Sequence, residues 1–265
     1  MSRNWKLCAV CKSCSQFQAS NNPKQHINPK MKISQYSSII SMNEKAILMM
    51  RSSKFASAAE VFHEAIDKVE EAFETEDIEM EDDMDFPMHQ GDRVMGAIAP
   101  VGVPDTTIAQ EASLSFTLYG NATTMIQNPA VSPDTSLEYD DLNLLHASLI
   151  FNLALCHHLQ GLESGKSAHF REAILCYDTV LGTIGQVEKR NPFVMVIELA
   201  SLNNCAHIHN IFCERPDFHQ CLKLMKDVLC EVTKGWVNPV PKQVTEFSHN
   251  LLMNSSHSSR PAPAA

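Results

Sequence analysis

The residues from Gly161 to Ser167 have the glycines, lysine and serine of a loop that could bind phosphate. In such a loop, backbone amides and the Lys side chain surround the phosphate oxygens. The string GLESGKS is one residue too short between its glycines, and it follows a predicted helix where the motif requires a strand. We therefore interpret it as a turn between two helices and not as a nucleotide site.

Three cysteines near the start of the chain, Cys8, Cys11 and Cys14, have the two-residue gaps that let thiolates converge on zinc. Zinc takes four N, S or O ligands. His26 could supply the fourth, but no second cysteine or histidine pair follows. We favour exposed thiols on an unstructured arm, and a metal site in this arm remains the alternative.

Histidines form two local groups, His157 with His158 and His207 with His209, on helices that we expect to be neighbours. Residues one or two positions apart point in different directions on a helix, and the chain has no HExxH pair. We favour packing histidines, and a metal-binding or redox function near His157 and His207 is the alternative. Since no catalytic spacing such as GxSxG occurs, we expect no enzyme activity, no metal and no cofactor.

These residues lie on a repeated helical pattern. Three stretches each read Asn, a small residue shortly after, an apolar helix, a turn with Phe or Gly, and a second apolar helix; they are Asn43 to Ile66, Asn152 to Leu181 and Asn204 to Leu229. In the second helices, apolar residues recur at spacings of three and four, which places them on one stripe. Repetition of this kind is typical of stacked helical hairpins.

The pattern resembles the tetratricopeptide repeat. The first hairpin matches at six positions: Ala46, Met49, Phe55, Ala58, Phe62 and Ala65. The second matches if about seven extra residues lie in its turn, Leu162 to Ala168, and the third if about three lie around Pro216. More narrowly, FNLALCHHLQGL, LNNCAHIHNIF and the terminal APAA resemble the uncharacterised tetratricopeptide-like proteins of diatom genomes, which imply no particular activity.

The resemblance implies a groove, lined by the first helix of each hairpin, that binds a peptide or partner protein. Asn152 and Asn204 lie where such grooves use Asn to hold a ligand, so we expect partner binding at Asn152, Asn204, His157 and His207. The basic positions of the carboxylate-binding version are absent, and Asn43 lies where its Lys would be. The other role, which we favour for both Asn152 and Asn204 on residue type alone, is a hydrogen bond to backbone or to a neighbouring helix.

Charge divides the chain of 265 residues unevenly. Residues 70 to 85 hold ten of its 31 acids and no Lys or Arg, whereas residues 1 to 43 hold six bases and no acid. An otherwise neutral body gives no footprint for nucleic acid. No run of 18 apolar residues occurs, so no membrane span is expected, and unpaired helical cysteines favour the cytoplasm. Targeting to an organelle by the acid-poor first residues is the alternative.

We therefore predict an all-α fold: a short α-solenoid of about three such hairpins with an irregular insertion and a capping helix. The expected parts are a disordered basic arm (1–35), a first hairpin (36–75), an acidic, Pro- and Gly-rich insertion (76–140), second and third hairpins (141–234), a capping helix (235–254) and a disordered tail (255–265). We expect the insertion to be poorly ordered, with a short strand at Leu114 to Tyr119.

Overall fold

The fold is seen in a computed structural model, which describes residues 31–74, 95–102, 118–127, 137, 139–187, 192–235 and 242–255. The described helices are α1 (Ile33–Arg51), α2 (Phe55–Glu74), α3 (Tyr139–Ser164), α4 (Ser167–Ile184), α5 (Pro192–Ile211), α6 (Arg215–Gly235) and α7 (Lys242–Ser255). Two strands, β1 (Met95–Gly102) and β2 (Asn121–Gln127), form an antiparallel pair. The predicted all-α class is confirmed.

The helices form a double row. Each helix contacts the next along the chain, and the odd-numbered helices also contact one another in order, α1 with α3, α3 with α5 and α5 with α7. We call the odd-numbered helices the inner row. Strand β2 contacts α1 and α3 of this row. An extended part of the same chain, residues 118–124, therefore lies against the inner row, and we call it the segment.

The first hairpin forms where the residue pattern predicts it. Its small or aromatic residues Ala46, Ala58, Phe62 and Ala65 are fully buried between α1, α2 and α3. Ser53, at the turn between α1 and α2, has φ of 54°. A small polar residue lowers the steric cost of that left-handed conformation but does not remove it. Short side chains at the crossings let the helix axes approach closely.

The turn of the second hairpin is shorter than predicted. Residues 162–164 continue α3, and only Gly165 and Lys166 separate it from α4, so the expectation of an enlarged turn from Leu162 to Ala168 is wrong. Gly165 has φ of +67°, a conformation that glycine adopts without a Cβ clash. Gly161 lies inside α3, against the ring of Phe170. The phosphate-loop-like residues thus form a helix end and a two-residue connection.

Part of the predicted insertion is ordered. A strand lies at Asn121–Gln127. Of the strand expected at Leu114 to Tyr119, residues 114–117 lie outside the described part of the chain, and Leu118 and Tyr119 precede β2 without belonging to a strand. Ala122 and Thr123 in β2, and Tyr119 before it, are buried. The expectation of poor order is therefore wrong for residues 118–127. The acidic residues 75–85, residues 1–30 of the basic arm and the tail from residue 256 lie outside the described residues. Residues 31–35 of the arm are ordered, because Met31 is buried and α1 begins at Ile33, so the expectation of disorder is wrong for them.

Helix α3 is long and apolar enough to cross a membrane, by length and composition alone. Its most apolar window has a mean hydropathy of 1.3, and 94% of that window is buried against the rest of the protein. A helix that is apolar on all sides is also what the centre of a folded domain requires. Helix α3 has that position here, since it contacts α1, α2, α4, α5 and β2.

Candidate functional site

The inner row holds the extended segment through asparagine side chains, and the first of these is Asn152 on α3. Its Oδ1 accepts a hydrogen bond from the Thr123 backbone N–H at 2.7 Å, and its Nδ2 donates to the Thr123 carbonyl at 2.8 Å. Asn43 on α1 supports this pairing, because its Nδ2 donates to the same carbonyl at 3.1 Å and its Oδ1 accepts from Asn152 Nδ2 at 2.8 Å. Both asparagines are fully buried.

Asn204 on α5 repeats the arrangement one inner helix further along. Its Oδ1 accepts from the Tyr119 N–H at 3.0 Å, and its Nδ2 donates to the Tyr119 carbonyl at 3.1 Å. The same Nδ2 lies 2.9 Å from the hydroxyl of Tyr177 on α4. Asn152 and Asn204 therefore each bind both polar backbone groups of one residue, and we call this pair the asparagine clamp.

The clamp forms the same backbone hydrogen bonds to the segment that a neighbouring strand would form. In an antiparallel pair, a hydrogen-bonded residue exchanges its N–H and its C=O with the residue opposite. Thr123 lies opposite Pro100 of β1, and proline has no N–H to donate. The backbone groups of Thr123 are instead turned to Asn152, on the other edge of β2. Tyr119 lies four residues earlier, so in an extended chain its backbone groups face the same edge.

Side chains of the segment fill apolar and polar sites on the inner row. The ring of Tyr119 lies 5.0 Å from that of Phe247 on α7 and 6.4 Å from that of Phe151 on α3, measured between centroids. Ala122 is fully buried. The Thr123 hydroxyl lies 3.1 Å from Asn152 Oδ1 and 3.3 Å from the carbonyl of Ser148, and it can donate to either. The backbone clamp is thus combined with pockets for an aromatic, a small and a hydroxyl side chain.

A buried histidine pair, His158 and His207, is linked to Asn204 of the clamp through Tyr177. His158 Nε2 and His207 Nδ1 are 3.0 Å apart, and His158 Nδ1 lies 3.5 Å from the Tyr177 hydroxyl that contacts Asn204. Burial, together with the neighbouring His207, lowers the pKa of His158 well below its ordinary value, and burial lowers the pKa of His207 to about 4. Both rings are therefore neutral at pH 7, and each can donate only one hydrogen bond.

His157 lies apart from the clamp. Its ring stacks on that of His169 on α4 at 6.3 Å and lies 6.5 Å from that of His63 on α2. Burial, with His63 and His169 nearby, lowers the pKa of His157. The structure thus brings together Asn152, Asn204 and His207 around the inner row but places His157 on the side of α2 and α4. The histidine that meets His207 is His158.

Buried thiols offer little redox chemistry among the described residues. Burial raises the pKa of Cys156, Cys176 and Cys221 to about 12 and raises that of Cys205 well above its ordinary value, so none of these is a thiolate at pH 7. The sequence pattern places six cysteines in helical segments where a thiol would be packed: Cys156, Cys176, Cys205, Cys213, Cys221 and Cys230. For Cys213 this is wrong, because it is exposed in the turn between α5 and α6, and Cys230 is helical but also exposed. Cys8, Cys11 and Cys14 lie outside the described residues.

One group among the described residues could offer three ligand atoms to a metal ion. His209, Glu214 and Asp217 have candidate ligand atoms within 4.8 Å of one another, and His209 Nδ1 lies 2.6 Å from Glu214 Oε2. Both carboxylates are exposed, and such surface groups are common without a metal. The hydrogen-bonding contact between His209 and Glu214 accounts for the arrangement without a metal ion.

The sequence analysis did not assign a role in the site to Asn43 or Asn250, which lie at the two ends of the inner row. Asn43 supports Asn152, and Asn250 on α7 donates to Asn203 Oδ1 at 2.7 Å, next to Asn204. The signal was present, because every inner helix has at least one asparagine that is buried in the row: Asn43, Asn152, Asn204 and Asn250. Helix α7 therefore continues the inner row and does more than cover its end.

Comparisons with known proteins give no family for this chain. A scan against protein-family models, a search of the curated proteins and a search of the solved structures each found no match.

Proposed function

We propose that this chain is a non-enzymatic scaffold of tetratricopeptide-like hairpins that binds an extended peptide of a partner protein along its inner row. The observation that supports the proposal is the asparagine clamp. Asn152 and Asn204 bind backbone N–H and C=O groups, which every peptide has, and they lie on successive inner helices. A surface with this geometry is suited to main-chain recognition of an extended ligand, as in strand addition to a sheet edge.

Spacing also fits an extended ligand. Tyr119 and Thr123 are four residues apart, which corresponds to about 13 Å of extended chain. Packed helices lie about 8–10 Å apart, so four residues of extended chain are long enough to reach from one inner helix to the next. The backbone bonds supply affinity for any sequence, and the pockets beside them supply preference among sequences.

A displayed library of twelve-residue peptides, selected on the purified full chain, tests the proposal. We expect enriched peptides whose binding, measured by fluorescence anisotropy, weakens at least about tenfold in Asn152→Ala and Asn204→Ala. Asn143→Ala is the matched control, because Asn143 is a buried asparagine on α3, nine residues and thus half a turn around the helix from Asn152. Absence of any enriched peptide, or binding that is equal in all three variants, would contradict the proposal.

A further inference from the structure

The inner row already holds a ligand, and that ligand belongs to the same chain. Residues 118–124 lie along α1, α3, α5 and α7 with their backbone bound to the asparagine clamp. We infer that this segment is an internal pseudo-ligand, and that the groove binds in its place a partner peptide with the same pattern: an aromatic residue, two variable residues, a small residue and Thr. The inference rests on the proposed function and names its ligand class and its regulation.

The pattern follows from burial along the segment. Tyr119 and Thr123 are each 5% exposed and Ala122 is fully buried, whereas Gly120 and Asn121 between them are half-buried. The aromatic ring fits between Phe151 and Phe247, and a larger residue than Ala at position 122 has no space. Thr at the last position adds a hydroxyl that can donate to Asn152 or to the Ser148 carbonyl. A partner peptide must match these three positions to replace the segment.

The way in which the segment is attached allows a partner peptide to replace it. The bonds from its backbone to α3 and α5 are made by side-chain amides, so their loss leaves the helices' own backbone bonds intact. A tethered segment competes with a free peptide at a high effective concentration, on the order of millimolar for a short flexible link. The intact chain should therefore bind a partner peptide weakly until its own segment is displaced or weakened.

A full chain with the double substitution Tyr119→Ala and Thr123→Pro separates the segment from the clamp. Alanine empties the site between Phe151 and Phe247, and proline removes the N–H that Asn152 accepts. The pairing of β1 with β2 should survive, because the Thr123 N–H is directed to Asn152 and not to Pro100. The probe is a labelled synthetic peptide of residues 116–127, and its control carries the same two substitutions.

We expect the probe to bind the double variant at least ten times more tightly than it binds the wild type, and the control peptide to bind neither. Adding Asn152→Ala and Asn204→Ala to the double variant should abolish probe binding. Equal affinity for wild type and double variant, or no binding to either, would overturn the inference. A dimer of the wild type that exchanges the segment between copies, seen by light scattering, would also overturn it, in favour of a second copy as occupant.

Hydrogen exchange on the wild type provides a test that needs no folded variant. If the segment leaves the groove while the helices stay folded, the amides of Tyr119 and Thr123 exchange faster than those of Phe151 and Leu155 in α3. Exchange of all four amides at one common rate would mean that the segment leaves only on global unfolding, and the inference would be wrong. The peptide library distinguishes failure of the inference from failure of the proposed function. Enriched peptides that need Asn152 and Asn204 but lack the aromatic, small and Thr pattern would support the proposed function and overturn the inference.

Discussion

At the scale of single residues, asparagine suits this site because it is neutral and carries both a donor and an acceptor. A buried carboxylate or ammonium would need a counter-charge, whereas the amide satisfies the two backbone groups of Thr123 without one. The second Nδ2 hydrogen of Asn152 bonds Asn43, and that of Asn204 bonds Tyr177. The clamp is therefore part of a buried network in which each loss leaves a partner unsatisfied.

The buried histidines make folding stability depend on pH. The unfolded chain protonates histidine near pH 6.5, whereas burial holds the pKa of His207 at about 4 and that of His158 well below its ordinary value. Their contribution to stability is thus fully present above pH 6.5 and is lost as the pH falls toward 4. Burial raises the pKa of Asp178 to about 6, which acts in the opposite direction, so the comparison must be between variants.

We predict that His207→Gln flattens this dependence, because Gln accepts a hydrogen bond and does not titrate. Between pH 7 and pH 5, the free energy of unfolding should fall by about 1–2 kcal/mol more in the wild type than in the variant. Urea titrations at the two pH values measure the difference. His219→Gln, which removes an exposed histidine on α6, is the control. Parallel pH dependence of wild type and His207→Gln would contradict the assignment of neutral buried rings.

At the scale of helices and turns, the hairpins depend on small residues where axes cross. We predict that Ala58→Leu in α2 and Ala173→Leu in α4 overpack the core and lower the free energy of unfolding by about 1–3 kcal/mol each. Both alanines are fully buried. The controls are Ala56→Leu and Ala168→Leu in the same helices, at exposed positions. If buried and exposed substitutions give the same denaturant midpoint, the crossings do not lie at these alanines.

Two glycines in neighbouring helices should respond to alanine in opposite ways. Alanine favours a helix over glycine by about 0.5–1 kcal/mol. At Gly182 in α4 a Cβ meets nothing within 4 Å, so Gly182→Ala should stabilise the protein by about that amount. At Gly161 in α3 a Cβ would lie 3.0 Å from two ring atoms of Phe170, and the ring itself is packed against His158 and Phe212. Gly161→Ala should therefore destabilise, and a thermal melt of both variants measures the two signs.

The helices could be predicted because their signal lies within a short stretch of sequence. The segment that occupies the groove could not be predicted, because its contacts join distant residues. The stripe of Ala58, Phe62 and Ala65 marks α2 within one window of sequence, and all three are buried. The clamp instead joins residues far apart in the chain, such as Asn43 with Thr123 and Tyr119 with Asn204. The sequence did carry one signal: α3 has no charged residue between Asp141 and Glu163, whereas a helix facing an open groove would carry a polar stripe. In the structure, residues 142–156 are accordingly buried on every side.

At the scale of the whole molecule, the insertion links the first and second hairpins covalently and also bonds to both of them through its strand β2. Its strand β2 contacts α1 and α3, and Thr123 binds Asn43 and Asn152 on these two helices at once. Helix α2 packs directly on α3 as well. The first hairpin is therefore attached to the second by side-chain packing and by the segment, in addition to the covalent chain.

We predict that cutting the chain in its acidic run leaves the fold assembled. A glutamate-specific protease should cleave first among Glu76, Glu79 and Glu81, where the sequence offers a dense run of acids after α2. The fragment with α1 and α2 should co-elute with the remainder on gel filtration, because the contacts of α2 with α3 and of Asn43 with Asn152 do not need the cut bonds. Denaturant should then separate the fragments. Immediate dissociation after the cut would show that the segment and the packing of α2 do not hold the first hairpin in place. First cleavage between Asn152 and Leu181 would show that the acidic run is not the most accessible part of the chain.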